Sequence, residues 1–261
     1  MLGKYWQVYR QFVNHSFAEA MSFRAHFVLL IVMDLFFYLS LLGSIDFIFQ
    51  HIDQIGPWQK PQFMFFASFM VAIDHLHMTF ISESFWNLSR DIRTGRLDFV
   101  LIKPIGSLFQ IFFRYIRPGT MLNGFVPWSL LIYYGLELNL SVWDWILLPI
   151  LIVCGLTLLT SVEILLSMVM FWTVESFGIN FLRMQLQQLA RWPDFIYRFY
   201  ARKLFSFGIP VLLVGSAPVQ FLFDRNNWER LVLMLVLIVV NWMLIGKAWQ
   251  WGLRSYESAS S

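Results

Sequence analysis

Asp74, His75 and His77 fall in the middle of one apolar run, and Glu163 falls in the middle of another. An ionisable side chain at membrane depth costs about 3 kcal/mol and is kept where it pairs, lines a pathway or relays protons. Asp74 and His77 are three residues apart and share a helix face, whereas His75 points elsewhere. They could serve as a proton relay, or as a polar face turned toward a cavity or a partner helix. A closed metal site wants about four ligands. His15, His26 and His51 lie near the ends of apolar runs, so no metal site is expected. Glu163 is the single charge between Asp144 and Glu175. It either pairs with a buried donor (or is protonated) or lines a cavity, where it would attract a cationic substrate. Asp34 is a weaker candidate, with an Asn or Arg expected as its partner. Arg183, with Gln185, Gln187 and Gln188, makes 175–192 a poor lipid-facing span and an acceptable pathway-lining one.

Other chemistry is excluded by what is missing. No Gly-x-x-x-x-Gly-Lys-[Ser/Thr] loop exists to cradle ATP phosphates, no Gly-x-Ser-x-Gly elbow, and no His-Glu-x-x-His. The chain is therefore not expected to be an enzyme or to hold a cofactor. The most informative polar stretch is 84–104. Arg90, Arg93, Arg96 and Lys103 anchor it near anionic headgroups. Gly95 breaks one helix and Pro104 closes the next. Between them Leu97, Phe99, Val100, Leu101 and Ile102 put apolar side chains on a short exposed element, which predicts a partner that covers it. The bland alternative is a short helix buried against the ends of its own spans.

The elements that would position these residues follow from composition. Of 261 residues 58% are hydrophobic and 13% charged, with a mean hydropathy of +0.62. That excludes a water-soluble or disordered chain, and the lone Cys154 excludes an internal disulfide. An all-α polytopic membrane protein remains, as one domain over 1–261. Six spans are predicted at 25–49, 62–82, 119–136, 144–173, 204–223 and 230–249. The 144–173 run is long enough that it must tilt, protrude or turn. Trp6, Tyr9, Phe12 or Val13, Phe17 and Met21 recur at helical spacing, predicting an amphipathic interfacial helix over 1–24. The tail from Tyr256 to Ser261 is expected to fray, and no internal repeat is visible.

Loop charge sets the orientation. If all six runs cross, Lys and Arg divide 16 to 3 in favour of the side holding both termini, which is therefore predicted to be cytoplasmic. The loop over 48–61 is then external.

Three stretches carry a resemblance. The run Ile92 to Pro104, reading IRTGRLDFVLIKP, resembles the IR-x-G-x-LD-x-x-L-x-KP segment of ABC-2 type permeases, and more narrowly a subfamily of about this length encoded as paired permeases beside one ATPase gene. Trp192 and Pro193, followed by Ile196, Tyr197, Arg202, Ile209, Pro210 and Pro218, resemble the Pro-punctuated segment before the family's last span. The ending from Gly252 to Ser258 resembles its C-terminal signature. The resemblance implies a permease subunit of an ABC exporter in the bacterial inner membrane. A second permease, identical or related, would face it, among membrane lipids and with no nucleic acid. Two copies of a cytoplasmic ATPase would hold the ATP and Mg. Arg93, Gly95, Leu97, Asp98, Leu101, Lys103 and Pro104 would form the coupling segment to that ATPase. Asp74, His77, Glu163 and Arg183 would line the pathway.

The family fold also implies a second topology. There 175–192 is the fifth helix, and 204–222, broken by Pro210, Gly215 and Pro218, is a re-entrant gate at the dimer interface. Arg191, Arg198, Arg202 and Lys203 then move outside and the charge split falls to 12 against 7. Breakers are tolerated at depth only where protein or a cavity shelters them, which favours this version. Two further functional readings stay open: a membrane scaffold that transmits ATPase motion without transport, and a stand-alone proton-coupled carrier using Asp74, His77 and Glu163.

Overall fold

A computed structural model describes residues 2–173 and 177–256, the side chains of Leu2 and His26 excepted. The expectation for the tail beyond 256 lies outside the described residues. The chain is almost wholly helical, with one two-stranded ribbon in which β1 (Gln54–Ile55) pairs with β2 (Trp58–Gln59).

Helix α1 (Leu2–Ser22) is the expected amphipathic helix, rotated from the predicted stripe. Tyr5, Tyr9 and Phe12 pack on Phe109, with the Tyr5 and Phe109 rings 5.1 Å apart. Trp6 and Met21, placed on that stripe, are exposed instead. Helix α2 (Arg24–Phe49) leads to the ribbon, and α3 (Lys60–Phe80) starts from a capping box of Gln59 and Gln62. A bend at Ile81 passes the chain to α4 (Ser82–Arg93), and α5 (Arg96–Leu101) follows at once. Between them Gly95 stands at φ 70°, a left-handed conformation that costs other residues about 1–2 kcal/mol.

Helices α6 (Ser107–Phe112), α7 (Pro118–Leu122) and α8 (Phe125–Glu137) come next. The run predicted as one span over 119–136 is thus α7 and α8, interrupted at Asn123 and Gly124. Helix α9 (Val142–Met168), capped by Ser141 and Asp144, continues after a break at Val169 into α10 (Met170–Thr173). At 1.5 Å per residue the pair reaches about 48 Å, more than about 30 Å of hydrocarbon, so it tilts or extends beyond the hydrocarbon. Helix α11 (Phe177–Ala190), α12 (Phe199–Lys203), a π-turn over Leu204–Gly208, α13 (Leu213–Phe223) and α14 (Trp228–Ser255) complete the order.

Four of these helical stretches are long and apolar enough to cross a membrane: Phe27–Phe49, Lys60–Arg93, Val142–Thr173 and Arg225–Ser255. The protein is a multi-pass membrane protein. The run predicted over 204–223 is not a straight crossing, because Phe199–Gly208 and Leu213–Phe223 meet at 100°.

Two apolar cores hold the helices. The larger gathers α3, α8, α9, α13 and α14 around Phe66, Met70, Leu158 and Val214. The smaller, at the other end, joins Phe85, Leu88 and Ile92 of α4, Leu97 and Val100 of α5, Phe112, Phe171 and Trp249. Glycine permits one close approach in the larger core. A Cβ on Gly215 would lie 2.3 Å from Met70 Sδ and 2.9 Å from Phe66 Cε2, so α13 touches α3 there.

Candidate functional site

Helix α11 carries Arg183 and Gln187 at four-residue spacing, hence on one face, and Arg191 follows at the same spacing one residue past the helix end. That face meets Asp74 and His77 of α3 and Glu163 of α9. Glu163 Oε1 accepts from Gln187 Nε2 at 2.6 Å and from Arg183 Nη1 at 3.3 Å, while Oε2 lies 2.5 Å from His77 Nε2. Gln187 also donates to His77 Nδ1 at 3.2 Å, which leaves the ring proton on Nε2, facing the carboxylate. Arg183 lies 4.5 Å above the Phe85 ring and is 1% exposed. Beside this cluster Arg191 Nε donates to Asp74 Oδ2 at 2.7 Å and stacks on Phe37. The structure thus brings together all four residues expected at the pathway, Asp74, His77, Glu163 and Arg183. A cavity of about 330 Å³ opens beside them, reached by Asp74, His77, Arg117, Arg183, Gln187 and Arg191.

Two readings change. Both carboxylates have a guanidinium partner, so the cavity does not present the free negative charge that would draw a cation. Asp34 has neither Asn nor Arg: Thr120 Oγ1 donates to it at 2.7 Å, since Asn123 is taken by the Ile31 carbonyl. Sequence reasoning did not pick out Arg191 and Gln187 as partners. The repeat of four residues from Arg183 was the signal. His75 points away from the cluster, against Gly124. Among the described residues no three His, Cys, Asp or Glu side chains gather as a metal site requires.

A second polar cluster ties the end of the fold. Asp194 Oδ2 accepts from Arg202 Nη2 at 2.6 Å and Arg230 Nη1 at 2.9 Å, and its Oδ1 accepts from Gln220 Nε2 at 2.6 Å. Its backbone NH donates to Ser216 Oγ at 3.0 Å. Nearby, Tyr197 donates to the Leu189 carbonyl, and burial pushes its phenol up to about 12. Trp58 of the ribbon packs on Phe195 at 4.9 Å and Phe223 at 5.5 Å. The two ends of 199–223 therefore meet on the face that holds the 48–61 loop, and the segment turns back. Pro210, Gly215 and Pro218, expected as a re-entrant gate, all lie on this turned-back segment and are buried within the chain. Residues 213–219 are buried by the chain's own α3, α9 and α14, and the exposed limb carries Phe199, Tyr200, Leu204 and Phe207. Asp194 was also missed, although it is the one acid between 176 and 223, among five bases.

At the opposite face lies the segment around α5. Arg93, Lys103 and Pro104 are exposed, Asp98 is half-buried and Gly95 buried. The five apolar residues split: Leu97 and Val100 are buried in the smaller core and Leu101 is half-buried, whereas Phe99 is 66% and Ile102 79% exposed. Leu97 therefore supports the segment from within, because its helical position faces α4 and α6. Helix α1 braces the far end: Lys4 Nζ donates to the Pro104 carbonyl at 3.4 Å, and the Gly106 NH to Tyr5 Oη at 3.1 Å. Behind it, Gly252 of α14 touches the Phe171 ring, and Tyr256 has its phenol raised by burial and then by Asp98.

Residues 28–260 match a family model described as an ABC-2 family transporter protein. No curated protein and no solved structure matches the chain.

Proposed function

The chain belongs to the ABC-2 family of transporter proteins, and we propose that it is the permease of an ATP-driven exporter, facing a second permease and docked on a separate cytoplasmic ATPase. Membership of this family implies association with an ABC ATPase, which favours this reading over a stand-alone carrier. ATP and Mg belong to the ATPase, of which two copies would serve two permeases. The complex sits in the cytoplasmic membrane, with both termini on the ATPase side.

The observation that carries this reading is the pair Phe99 and Ile102. Phe99 is exposed on a six-residue helix and Ile102 on the residue that caps its end, while Leu97 and Val100 lock the helix's other side into the smaller core. A rigid element with an apolar tip is suited to a groove on a partner and to passing motion into α4 and α14. Lys103 and Arg93 flank the tip with charge.

Phe99→Asp or Ile102→Asp is expected to cost about 2 kcal/mol of docking, roughly thirtyfold in affinity. Co-purification of the ATPase and ATP-driven transport in vesicles read this out. Leu97→Ala instead empties a core position and costs about 2–5 kcal/mol of stability. Full co-purification and full transport by both exposed-site variants would show that docking lies elsewhere. Docking with ATP turnover but no transport of any solute would turn the reading toward a scaffold.

A further inference from the structure

Helix α14 carries no charged residue between Arg230 and Lys247. At 1.5 Å per residue that interval is about 26 Å, against about 30 Å of hydrocarbon, so Lys247 stands where the apolar layer ends. Arg254 follows two turns later on the same face, about 10 Å further on, at the level of the headgroups. Both side chains are exposed, and neither has an ion pair or a hydrogen bond among the described residues. Beside them runs a groove of about 510 Å³, walled by Leu165 of α9 and by Leu244, Ala248 and Trp251 of α14. No carboxylate lines it. The one acid of α14 is Glu229, in the first turn of the helix, at its other end. Asp98 lies against Tyr256, which packs on Phe171 on the side of α14 where Gly252 meets that ring. That side is roughly 150° around the helix from Lys247 and Arg254. The two positive charges are therefore uncompensated at the groove and serve no other pair. A lone base at this depth merely reaches for water. Here two of them border an apolar wall that is held in place. Trp251 lies 5.8 Å from Trp172, and Trp172 Nε1 donates to Ser255 Oγ at 3.0 Å.

We propose that this groove binds one anionic phospholipid from the leaflet on the α1 side, with its phosphate between Lys247 and Arg254 and an acyl chain along Leu165, Leu244 and Ala248. Basic pockets between spanning helices at this level suit anionic headgroups. Arg254 can donate two NH groups to one phosphate, and Lys247 adds a point charge. A zwitterionic lipid gains less, because no carboxylate is there to receive its ammonium. The assignment needs only that the chain crosses a membrane, so it goes beyond the permease reading and stands without it. The lipid lies against the end of α14 whose opposite side, through Trp249, enters the smaller core with Leu97 and Val100 of α5.

The test is binding to the purified full chain in dodecyl maltoside, read by native mass spectrometry. The probes are dioleoyl phosphatidylglycerol, dioleoyl phosphatidylcholine and glycerophosphate. Phosphatidylglycerol is expected to bind saturably, one per chain, and at least about fivefold more tightly than phosphatidylcholine. The double variant Lys247→Gln with Arg254→Gln is expected to abolish that preference. Leu244→Trp, which fills the groove, is expected to weaken both lipids. Arg10→Gln removes an exposed base of α1 and is expected to leave binding unchanged. Lys247 and Arg254 hold no partner, so their neutral variants are expected to fold. Equal binding of the two lipids would overturn the proposal, since charge is then not read. Equal loss in Arg10→Gln and Arg254→Gln would overturn it too, since net charge alone would then account for the binding. Equal binding of glycerophosphate would mean that a free anion is recognised and would refute the lipid. Absence of saturable binding would also refute it, and a dimer that Trp251→Ala separates would then give the groove to a second copy of the chain. Should the double variant not elute as a folded species, Leu244→Trp and the ranking of the three probes on the unaltered chain still decide. No ATPase is involved, so failure here leaves the docking result at Phe99 standing, and failure there leaves this one.

Discussion

Glu163 shows how one residue can be legible and its role not. A carboxylate in the middle of an apolar run must be compensated, so its importance follows from position alone. Its partners come from 86, 24 and 20 residues away, and no local pattern selects them. The weak inference to cationic substrates failed for that reason: it counted acids and did not count the arginines that face them. Breaking a buried pair from one side is costly, about 3–5 kcal/mol, since the charge left behind is still out of water. Arg183→Met is therefore expected to lower the thermal midpoint sharply, and Glu163→Gln to do so as well. The double variant should lose less than the sum of the two, because neither charge is then stranded. Additive losses in a melting series would show that Arg183 and Glu163 do not depend on each other.

At the scale of elements, helices were easier to place than their ends and faces. The amphipathic N-terminal helix, the long fourth apolar run and the breakers at Pro210 and Pro218 were all visible as patterns. The break between α7 and α8 was not, as Asn123 and Gly124 are tolerated inside a helix and act here only because neighbouring helices hold the bend. The face of α5 was also hidden: with six residues the helix is too short for periodicity to say which of five apolar side chains turns inward. Gly215 is a position where an element depends on one atom. Gly215→Ala places a methyl group against Met70 and Phe66, and overpacking of this kind costs about 1–3 kcal/mol. Met70→Ala in the same chain removes the nearer obstacle and is expected to recover part of the loss in a thermal melt. A Gly215→Ala variant as stable as the parent would mean that α13 moves freely against α3.

For the whole molecule the question is which loops share a face. Trp58, Phe195 and Phe223 pack together, and Asp194 binds Arg202 and Arg230, so the 48–61 loop, 191–203 and 224–230 lie at one end. Helix α1, α5 and the end of α14 lie at the other. Charge counting alone preferred a plain crossing of 204–223, because that version put 16 bases against 3. With the turned-back segment the split is 12 against 7, which still predicts a cytoplasmic α1 and α5 end. Of the seven, five sit in ion pairs within the fold: Lys60, Arg191, Arg202, Arg225 and Arg230. Bases held by Asp46, Asp74, Asp194 and Asp144 add little net charge to the outer face, so the smaller excess is enough. Single cysteines in a Cys154→Ala background test the arrangement. Trp58 is buried, so the ribbon is better probed at Asp53, with Arg198 and Tyr200 for the turned-back limb and Ile102 for the other end. A membrane-impermeant maleimide added to intact cells is expected to label positions 53, 198 and 200, and to reach 102 only after permeabilisation. Labelling of 53 without 198 and 200 would restore the plain crossing, and labelling of 102 alone would invert the protein in the membrane.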